Sequence, residues 1–152
     1  MLKISCAQIP ARIGDFEFNL KQILDAAASA QQQGAHVLLT PELSVTGYLP
    51  EDLLMRPAFR AASEAAFGRL CAALAAYPDL YVLVGIPTWF MQGVKTKVYN
   101  SVSVLLGGQE VQRIHKQKLP NQSVFDELRY FTGGPKPELT EIHGVKIGVL
   151  VC

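Results

Sequence analysis

Short apolar segments alternate with amphipathic ones along the first half of the chain, and this alternation restricts the fold more than any other feature. "LKISCAQI" carries apolar residues on both faces, as a covered strand does, and "AHVLLT" is a second apolar segment. Between them, apolar residues recur at helical spacing from Phe16 to Ala27, with Asp15 as N-cap and Gly34 as the stop. Strand, helix and strand in this order predict a right-handed parallel crossover in an α/β fold.

The same alternation continues toward the middle of the chain. A second helix is predicted to begin near Pro57, because the fixed φ of proline suits a first helical turn. Its apolar stripe consists of Phe59, Phe67, Leu70 and Leu74. "LYVLVGIP" then follows as another buried strand.

The second half of the chain predicts strand pairing of a different kind. Residues 97–106 alternate as a strand does, Gly107 and Gly108 turn the chain, and "EVQRIHK" returns as the second arm of a hairpin. A long irregular segment, "KLPNQSVFDELRYFTGGPKP", is typical of a functional connection. "ELTEI" and a turn at "HG" precede a final buried strand, "VKIGVLVC", which ends at Cys152.

Composition and charge exclude several classes of protein. The chain has 152 residues, of which 49% are hydrophobic and 18% are charged, as expected for one globular domain or part of a larger one. No linker or repeat appears, so we place no domain boundary inside residues 1–152. A formal charge of +1 without runs of like charge argues against nucleic acid and membrane as partners. No signal peptide or spanning segment is visible, which predicts a cytoplasmic protein.

The three cysteines are scattered at positions 6, 71 and 152. An odd, widely spaced set fits reduced thiols better than a disulfide framework, and no metal-ligand spacing is present. Cys6 falls in the first predicted strand and Cys71 in the second predicted helix, so both are interpreted as packing residues. Cys152 stands at a predicted strand end and is considered separately.

Three residues with reactive side chains follow predicted strands. Glu42 follows "HVLLTP", Lys116 follows "VQRIH", and Cys152 follows "KIGVLV". Because parallel strands gather their chemistry at their carboxyl ends, the three could supply a base, an oxyanion partner and a nucleophile. Taken singly, each also fits an ordinary role, as a loop cap, a solvated strand end or a small buried side chain.

The chemistry of such a trio can be stated from general principles. A free cysteine has a pKa near 8.5, so a base or cation must raise its thiolate fraction at neutral pH. Glu42 could accept the thiol proton and later pass a proton to a departing amine. Lys116 could stabilise the oxyanion that forms when the thiolate attacks an amide.

The residues around the trio resemble a known family. "PELSVTGYLPEDLL", "HKQKLPN" and the strand ending at Cys152 are similar, in order, to the three catalytic signatures of the nitrilase superfamily, over residues 2–152. Within it, "TGYLPEDLLMR" and "LPNQSVFDELRYFTGG" resemble the N-terminal glutaminase domains of glutamine-dependent NAD(+) synthetases.

The resemblance implies a fold and a set of catalytic residues. The fold is a four-layer α-β-β-α sandwich, of which residues 1–152 would be the N-terminal portion. Glu42 is implied as general base, Lys116 as oxyanion stabiliser and Cys152 as nucleophile. Lys116 matches the family's lysine, rather than Lys118, because it stands three residues before the leucine of "KQKL". Glu127 is implied to support that lysine, although an ordinary surface carboxylate is an alternative.

Three further residues are implied to border the substrate. Tyr48 and Phe125 match pocket positions, and both are equally compatible with aromatic core residues. Gln122 is the third, and here the chain departs from the family. "NQSVFDE" replaces the commoner "NYGVFDE", so Gln122 stands where tyrosine is usual and Ser123 where glycine is usual.

The resemblance also implies a function. The chain would hydrolyse the amide of glutamine through a cysteine thioester and supply ammonia for the ATP-dependent amidation of deamido-NAD. The glutaminase half needs no cofactor, whereas ATP, Mg²⁺ and deamido-NAD would belong to a synthetase domain beyond these residues, since neither "GxxxxGK[ST]" nor "GxGxxG" occurs here. The resemblance further implies a homo-oligomer. Residues 1–152 alone would expose apolar sheet edges, so we expect them to be insoluble or inactive.

Several alternatives stay open on the sequence. The chain could be a stand-alone amidase of the same superfamily acting on another small amide, or an inactive piece with only an assembly role. A Cys–His site is also conceivable, because His36, His115 and His143 precede Cys152.

Overall fold

The computed structural model describes residues 1–93, 95–123, 125–136 and 139–151. Cys152, the predicted nucleophile, lies outside the described residues. Two short 3-10 helices occur at Glu51–Met55 and Glu127–Arg129. The strands and α-helices are β1 Ile4–Cys6, α1 Phe16–Gln32, β2 Val37–Leu39, α2 Pro57–Leu74, β3 Tyr81–Gln92, β4 Lys95–Leu106, β5 Gln109–His115, β6 Leu139–Ile142 and β7 Val145–Gly148.

Strands β1 to β5 form one sheet in sequence order. β1, β2 and β3 are parallel, whereas β4 is antiparallel to both β3 and β5. The predicted parallel crossover through α1 and the predicted hairpin of β4 and β5 are therefore confirmed. Because two reversals restore the direction, β5 runs the same way as β2, and the carboxyl ends of these two strands lie at the same edge of the sheet.

Both helices pack on one face of this sheet. α1 begins where predicted, since the Phe18 N–H donates to the Asp15 carboxylate over 3.2 Å, and α2 begins at Pro57. Burial of apolar area against the sheet is the main stabilising contribution of such helices. The fully buried members of this layer's core include Ile23, Ala27, Leu38, Ala66, Leu70, Val84 and Leu105.

The opposite face of the sheet is covered by the hairpin of β6 and β7. Ile142 and Val149, at this hairpin, pack against Val37, Leu83 and Val104 of the sheet. Helices, five-stranded sheet and second strand layer thus follow one another, as the predicted α/β sandwich requires. Within the described ranges, no helix combines the length and apolar character needed to cross a bilayer.

The first strand is less buried than its sequence predicts. β1 stands at the end of the strand order and pairs with β2, which leaves Ile4 51% exposed and Cys6 exposed. The interpretation of Cys6 as a packing residue is therefore wrong. Cys71 does pack against the helix-side core, and burial followed by the charge of Glu110 raises the pKa of its thiol.

The last strand is shorter than predicted. β7 ends at Gly148, so the expectation of a buried strand running on through Val149 and Val151 is wrong. The pairing of β7 with β6 runs from Val145 opposite Ile142 to Gly148 opposite Leu139, and among the described residues it goes no further. Val149 is nevertheless buried against the large sheet.

β3 and β4 are longer than predicted and pair along their whole length, from Tyr81 opposite Leu106 to Gln92 opposite Lys95. The sequence prediction, "LYVLVGIP", ended β3 at Pro87, a residue that cannot donate to a strand ladder. In the structure, β2 pairs with β3 only as far as Leu83. Pro87 therefore lies where β3 has β4 as its neighbour, and the strand continues through it.

Candidate active site

Glu42 is carried by the segment of residues 40–46, which leaves β2 and crosses β3 beside Leu83 and Gly85. Side-chain hydroxyls tie this segment to the sheet. Thr40 Oγ1 donates to the Leu83 carbonyl over 3.0 Å, accepts from the Gly85 N–H over 3.3 Å, and lies 2.8 Å from Ser44 Oγ. The Val45 N–H adds a backbone bond to the Gly85 carbonyl. The position of Glu42 is thus determined by the sheet rather than by a free loop.

The crossing depends on Gly85 having no side chain. A Cβ at Gly85 would stand 2.4 Å from the Leu43 nitrogen and 2.5 Å from the Pro41 carbonyl oxygen, closer than real atoms approach. Leu43 itself is buried and adopts φ +49°, a left-handed conformation that costs a non-glycine residue about 1–2 kcal/mol. Strain of this kind, next to Glu42, is typical of functional segments.

Lys116 follows directly after β5 and is held through its backbone on both sides. Its N–H donates to the Asn100 carbonyl on β4, and its own carbonyl accepts from the Gly134 N–H, both over 2.8 Å. The side chain is fully buried. An ammonium in such a place must be paired, because an unpaired buried charge is strongly destabilising.

Glu127 is supplied by the long irregular segment that follows Lys116. This segment folds back on β4, where the Thr132 N–H donates to the Val98 carbonyl over 2.7 Å. The short 3-10 helix at Glu127–Arg129 then turns the Glu127 side chain inward, and it is fully buried. The alternative of an ordinary surface carboxylate is therefore wrong for Glu127.

These elements bring five polar side chains together in one hydrogen-bond network, which we call the cluster. Lys116 Nζ donates to Glu42 Oε1 over 2.8 Å and to Glu127 Oε1 over 2.9 Å. Tyr48 Oη donates to the same Glu127 oxygen over 2.8 Å, and Asn100 Nδ2 donates to the same Glu42 oxygen over 2.5 Å. The ammonium therefore stands between two carboxylates, each of which is held by a second donor.

The electrostatics of this cluster differ from those of a simple ion pair. Two carboxylates and one ammonium carry a formal charge of −1, and the Lys116 and Glu127 side chains are removed from solvent while that of Glu42 stays 23% exposed. Glu127 Oε2 is buried without a hydrogen-bond partner among the described residues. Such an arrangement has a partly accessible carboxylate on one side of a buried cation and a supporting carboxylate on the other.

Tyr48 is a hydrogen-bond donor whose phenol has a raised pKa. Burial and the hydrogen bond to Glu127 raise the pKa of the Tyr48 phenol well above its usual range, although the residue is 37% exposed. Because the pKa of the Tyr48 phenol is higher in the folded than in the unfolded protein, the protonated phenol stabilises the fold at pH values below its unfolded-state pKa. This stabilisation is lost as the pH rises through its folded-state pKa.

We therefore expect Tyr48 to stay protonated in the folded protein to above about pH 10. In ultraviolet titration of phenolate, the full-length protein and its Tyr48→Phe variant should gain the same absorbance up to that pH, and differ by one phenolate in denaturant. One extra phenolate in the folded wild type near the ordinary tyrosine pKa would contradict this.

The structure assembles some of the predicted site residues and leaves others apart. Glu42, Lys116, Glu127 and Tyr48 belong to the cluster. Phe125 is 40% exposed and Gln122 is exposed, and within the described ranges no hydrogen bond or ion pair joins their side chains to it. The pocket roles of these two residues stay predictions.

The three histidines of the Cys–His alternative do not make one shared set of contacts. The His36 and His143 rings contact each other at 5.0 Å, on the side of the molecule where the β6–β7 turn meets the start of β2. His115 Nδ1 lies 2.8 Å from Ser101 Oγ, and its ring stacks on Tyr99. The His36–His143 pair and His115 therefore make separate sets of contacts.

Asn100 is the cluster residue that the sequence analysis missed. A signal for it does exist in the sequence. Strand alternation places Asn100 on the same face of β4 as Val98, Val102 and Val104, and all four are buried. One amide in a row of buried valines indicates a polar contact across the sheet, but the strand pattern alone does not say with which residue.

Comparisons with known proteins show the family to which the sequence is similar. The carbon-nitrogen hydrolase family matches residues 3–152. Among curated proteins, the chain is 36% identical over 152 residues to the glutamine-dependent NAD(+) synthetase of Aquifex aeolicus (strain VF5), and 39% identical over 154 residues to that of Xylella fastidiosa (strain Temecula1 / ATCC 700964). It spans 26% and 27% of the length of these relatives.

Solved structures show the same relationship in three dimensions. A glutamine-dependent NAD(+) synthetase from Acinetobacter baumannii, in complex with ADP, superposes on 99% of the chain with a TM-score of 0.87 and 36% identity, and the chain covers 27% of it. The NitN amidase from Nesterenkonia sp. AN1 superposes on the whole chain with a TM-score of 0.82 and 28% identity, and the chain covers 57% of it. A matching sequence family, a shared α/β fold and similarity to these enzymes along the whole chain lead to one conclusion: the chain belongs to the carbon-nitrogen hydrolase family.

Proposed function

We propose that the full-length protein containing this chain hydrolyses the side-chain amide of glutamine to glutamate and ammonia. The observation that carries the proposal is the buried Lys116 ammonium between Glu42 and Glu127. Surface ion pairs contribute little to stability, and a buried one is stabilised only by good geometry, so a lysine held in this way is better explained by chemistry than by folding.

In the proposed reaction, Glu42 accepts the proton of the Cys152 thiol and the thiolate attacks the amide carbon. The carbonyl oxygen becomes an oxyanion. Lys116 Nζ carries three N–H groups, of which two are donated to the carboxylates, so one is left for that oxyanion. Glu42 then gives its proton to the departing nitrogen, and the C–N bond breaks to release ammonia. Glu42 then takes a proton from a water whose oxygen attacks the thioester carbon, and as the C–S bond breaks it returns that proton to the departing sulfur, which yields glutamate and the free thiol.

We further propose that the ammonia is used for the ATP-dependent amidation of deamido-NAD. The support is the similarity to glutamine-dependent NAD(+) synthetases, which the chain matches along its whole length and of which it spans about a quarter. In this proposal, glutamine is the small-molecule partner of the chain, and ATP, Mg²⁺ and deamido-NAD bind a synthetase domain outside residues 1–152. A homo-oligomer is part of the same proposal.

The proposal is tested by replacing the nucleophile. We expect the full-length Cys152→Ala variant to release no ammonia from glutamine, at least about 1,000-fold less than wild type, because a methyl group forms no thioester. Cys71→Ala is the matched control and should retain full release, since Cys71 packs in α2. Ammonia is measured with a coupled assay and the thioester by intact mass after rapid quenching. Unchanged release by Cys152→Ala would contradict the assignment.

A stand-alone amidase acting on another small amide is the second candidate. The likeness to the NitN amidase favours it, because the chain covers 57% of that shorter protein. A panel of glutamine, asparagine and simple aliphatic amides separates the two candidates. Preference for an aliphatic amide supports the second, and hydrolysis of none of them supports a role in assembly only.

A further inference from the structure

Asn100 is placed where one residue contacts both halves of the ion-paired centre. Its backbone carbonyl accepts from the Lys116 N–H over 2.8 Å, and its side-chain Nδ2 donates to Glu42 Oε1 over 2.5 Å. Asn100 is fully buried in β4, two strands from β2, to which the segment of Glu42 belongs. Asn100 therefore contacts both Glu42, which follows β2, and Lys116, which follows β5 on the other side of β4.

Packing does not explain an asparagine at this place. Its neighbours on the same face of β4 are buried valines, and Asn100 Oδ1 is itself buried with no hydrogen-bond partner in the part of the chain that the structure describes. A buried amide with an unpaired acceptor stabilises a fold less than an apolar side chain of the same size does. The residue is better explained by what its Nδ2 does to Glu42.

Asn100 Nδ2 and Lys116 Nζ donate to the same oxygen of the Glu42 carboxylate, Oε1. Two donors at one oxygen determine the rotation of the carboxylate and occupy that oxygen, so Oε2 is the atom left to accept a proton. The other ionisable groups facing this centre, Glu127 and Tyr48, act on Lys116 and on each other rather than on Glu42 Oε2. An amide suits the task because it orients the carboxylate without adding a second positive charge that would weaken the base.

We propose that Asn100 is a positioning residue that holds the Glu42 carboxylate by Oε1, so that Oε2 exchanges protons with the nucleophile and the leaving group. This inference rests on the proposed function only in that Glu42 acts as the base. It requires no particular amide as substrate, and it concerns the orientation of Glu42 rather than direct contact between Asn100 and the substrate.

Two substitutions in the full-length protein test the proposal. Asn100→Leu keeps the size and removes the donor, and Asn100→Asp replaces the donor with a second carboxylate. For Asn100→Leu we expect kcat to fall about 10- to 100-fold while KM changes less than about 3-fold, because misplacing a base acts on the chemical step. The acidic limb of the pH profile of kcat/KM should move to higher pH, since the Glu42 carboxylate loses a hydrogen bond that favours its charged form. In Asn100→Asp it should move further, because the two carboxylates repel.

Ser103→Ala is the matched control. Ser103 is buried in the same strand and donates to Glu110 over 2.9 Å, away from the cluster. Its kcat should stay within about twofold of wild type, with an unmoved acidic limb. If Asn100 were merely structural, its two variants would lose melting temperature and active fraction while the limb stayed in place. That result, or a kcat for Asn100→Leu within about twofold of wild type, would overturn the proposal.

A second readout needs no turnover. In a crystal structure of full-length Asn100→Leu, we expect the Glu42 carboxylate to rotate and its Oε1 to leave hydrogen-bond range of Lys116 Nζ. A carboxylate oxygen still 2.8 Å from Lys116 Nζ in the same orientation would overturn the inference. Kinetics are measured on whichever amide the wild type hydrolyses. A wild type that is inactive on glutamine would refute the proposed function, and the comparison of the Asn100 variants would still decide whether Asn100 positions Glu42.

Discussion

Replacing Lys116 with methionine is expected both to lower the rate of amide hydrolysis sharply and to destabilise the fold. Methionine has nearly the length of lysine but no charge, so Glu42 and the buried Glu127 would face each other without the cation between them. Removing one partner of a buried ion pair typically lowers the free energy of unfolding by about 3–5 kcal/mol. Loss of an oxyanion donor typically lowers kcat by about 100- to 1,000-fold.

Lys118→Met is the matched control, because Lys118 lies two residues further along and is exposed. Its free energy of unfolding should change by less than about 0.5 kcal/mol and its hydrolysis rate should stay at the wild-type level. Both variants are compared in the full-length protein by denaturant unfolding and ammonia release. A Lys116→Met variant as stable as Lys118→Met would mean that the two carboxylates do not depend on this ammonium.

Gly85→Ala is expected to disable the site although Gly85 carries no reactive side chain. The added Cβ would stand within 2.5 Å of the Leu43 nitrogen and the Pro41 carbonyl oxygen, which are backbone atoms on either side of Glu42. Backbone cannot rotate aside as a flexible side chain can, so the segment of residues 40–46 must lift from β3. Overpacking typically destabilises a fold by about 1–3 kcal/mol, and a displacement of about 1 Å at a reacting group typically lowers kcat about 100-fold.

The chain offers a matched glycine as control. Gly68 lies in α2, and a Cβ added there would meet no heavy atom within 4 Å, so Gly68→Ala should be neutral or stabilising by up to about 1 kcal/mol. Melting temperatures and ammonia release of the two full-length variants are measured side by side. A fully active Gly85→Ala protein would show that the segment carrying Glu42 adapts without displacing the carboxylate.

Local signals account for the parts of the fold that were predicted well. The Asp15 cap, the start of α2 at Pro57 and the hairpin at Gly107 and Gly108 all depend on residues close to one another in the chain. The extent of β1 and β7 depends instead on what lies beside them in the finished sheet. Whether Cys6 is covered is therefore decided by the strand order, which periodicity in "LKISCAQI" does not report.

The same distinction holds at the candidate site. Strand ends and family-like phrases pointed to Glu42 and Lys116, and the structure places Lys116 Nζ 2.8 Å from the Glu42 carboxylate. Their catalytic roles, like that of Cys152, stay predictions. Asn100 was missed because its importance comes from its contact with Glu42, 58 positions away. The pattern of one strand does not indicate which distant residue its side chains contact.

The tethering of residues 40–46 has a consequence for the dynamics of the protein. Thr40 and Val45 are bonded to β3, and Val45 is bonded also to Asn19 of α1, whose amide reaches the Val45 carbonyl over 3.1 Å. A segment held by both layers opens only when the sheet itself opens, on the slow timescale of sub-global unfolding. We therefore expect Glu42 to keep its position during the proposed reaction, so that any motion that admits a substrate would occur in other elements of the protein.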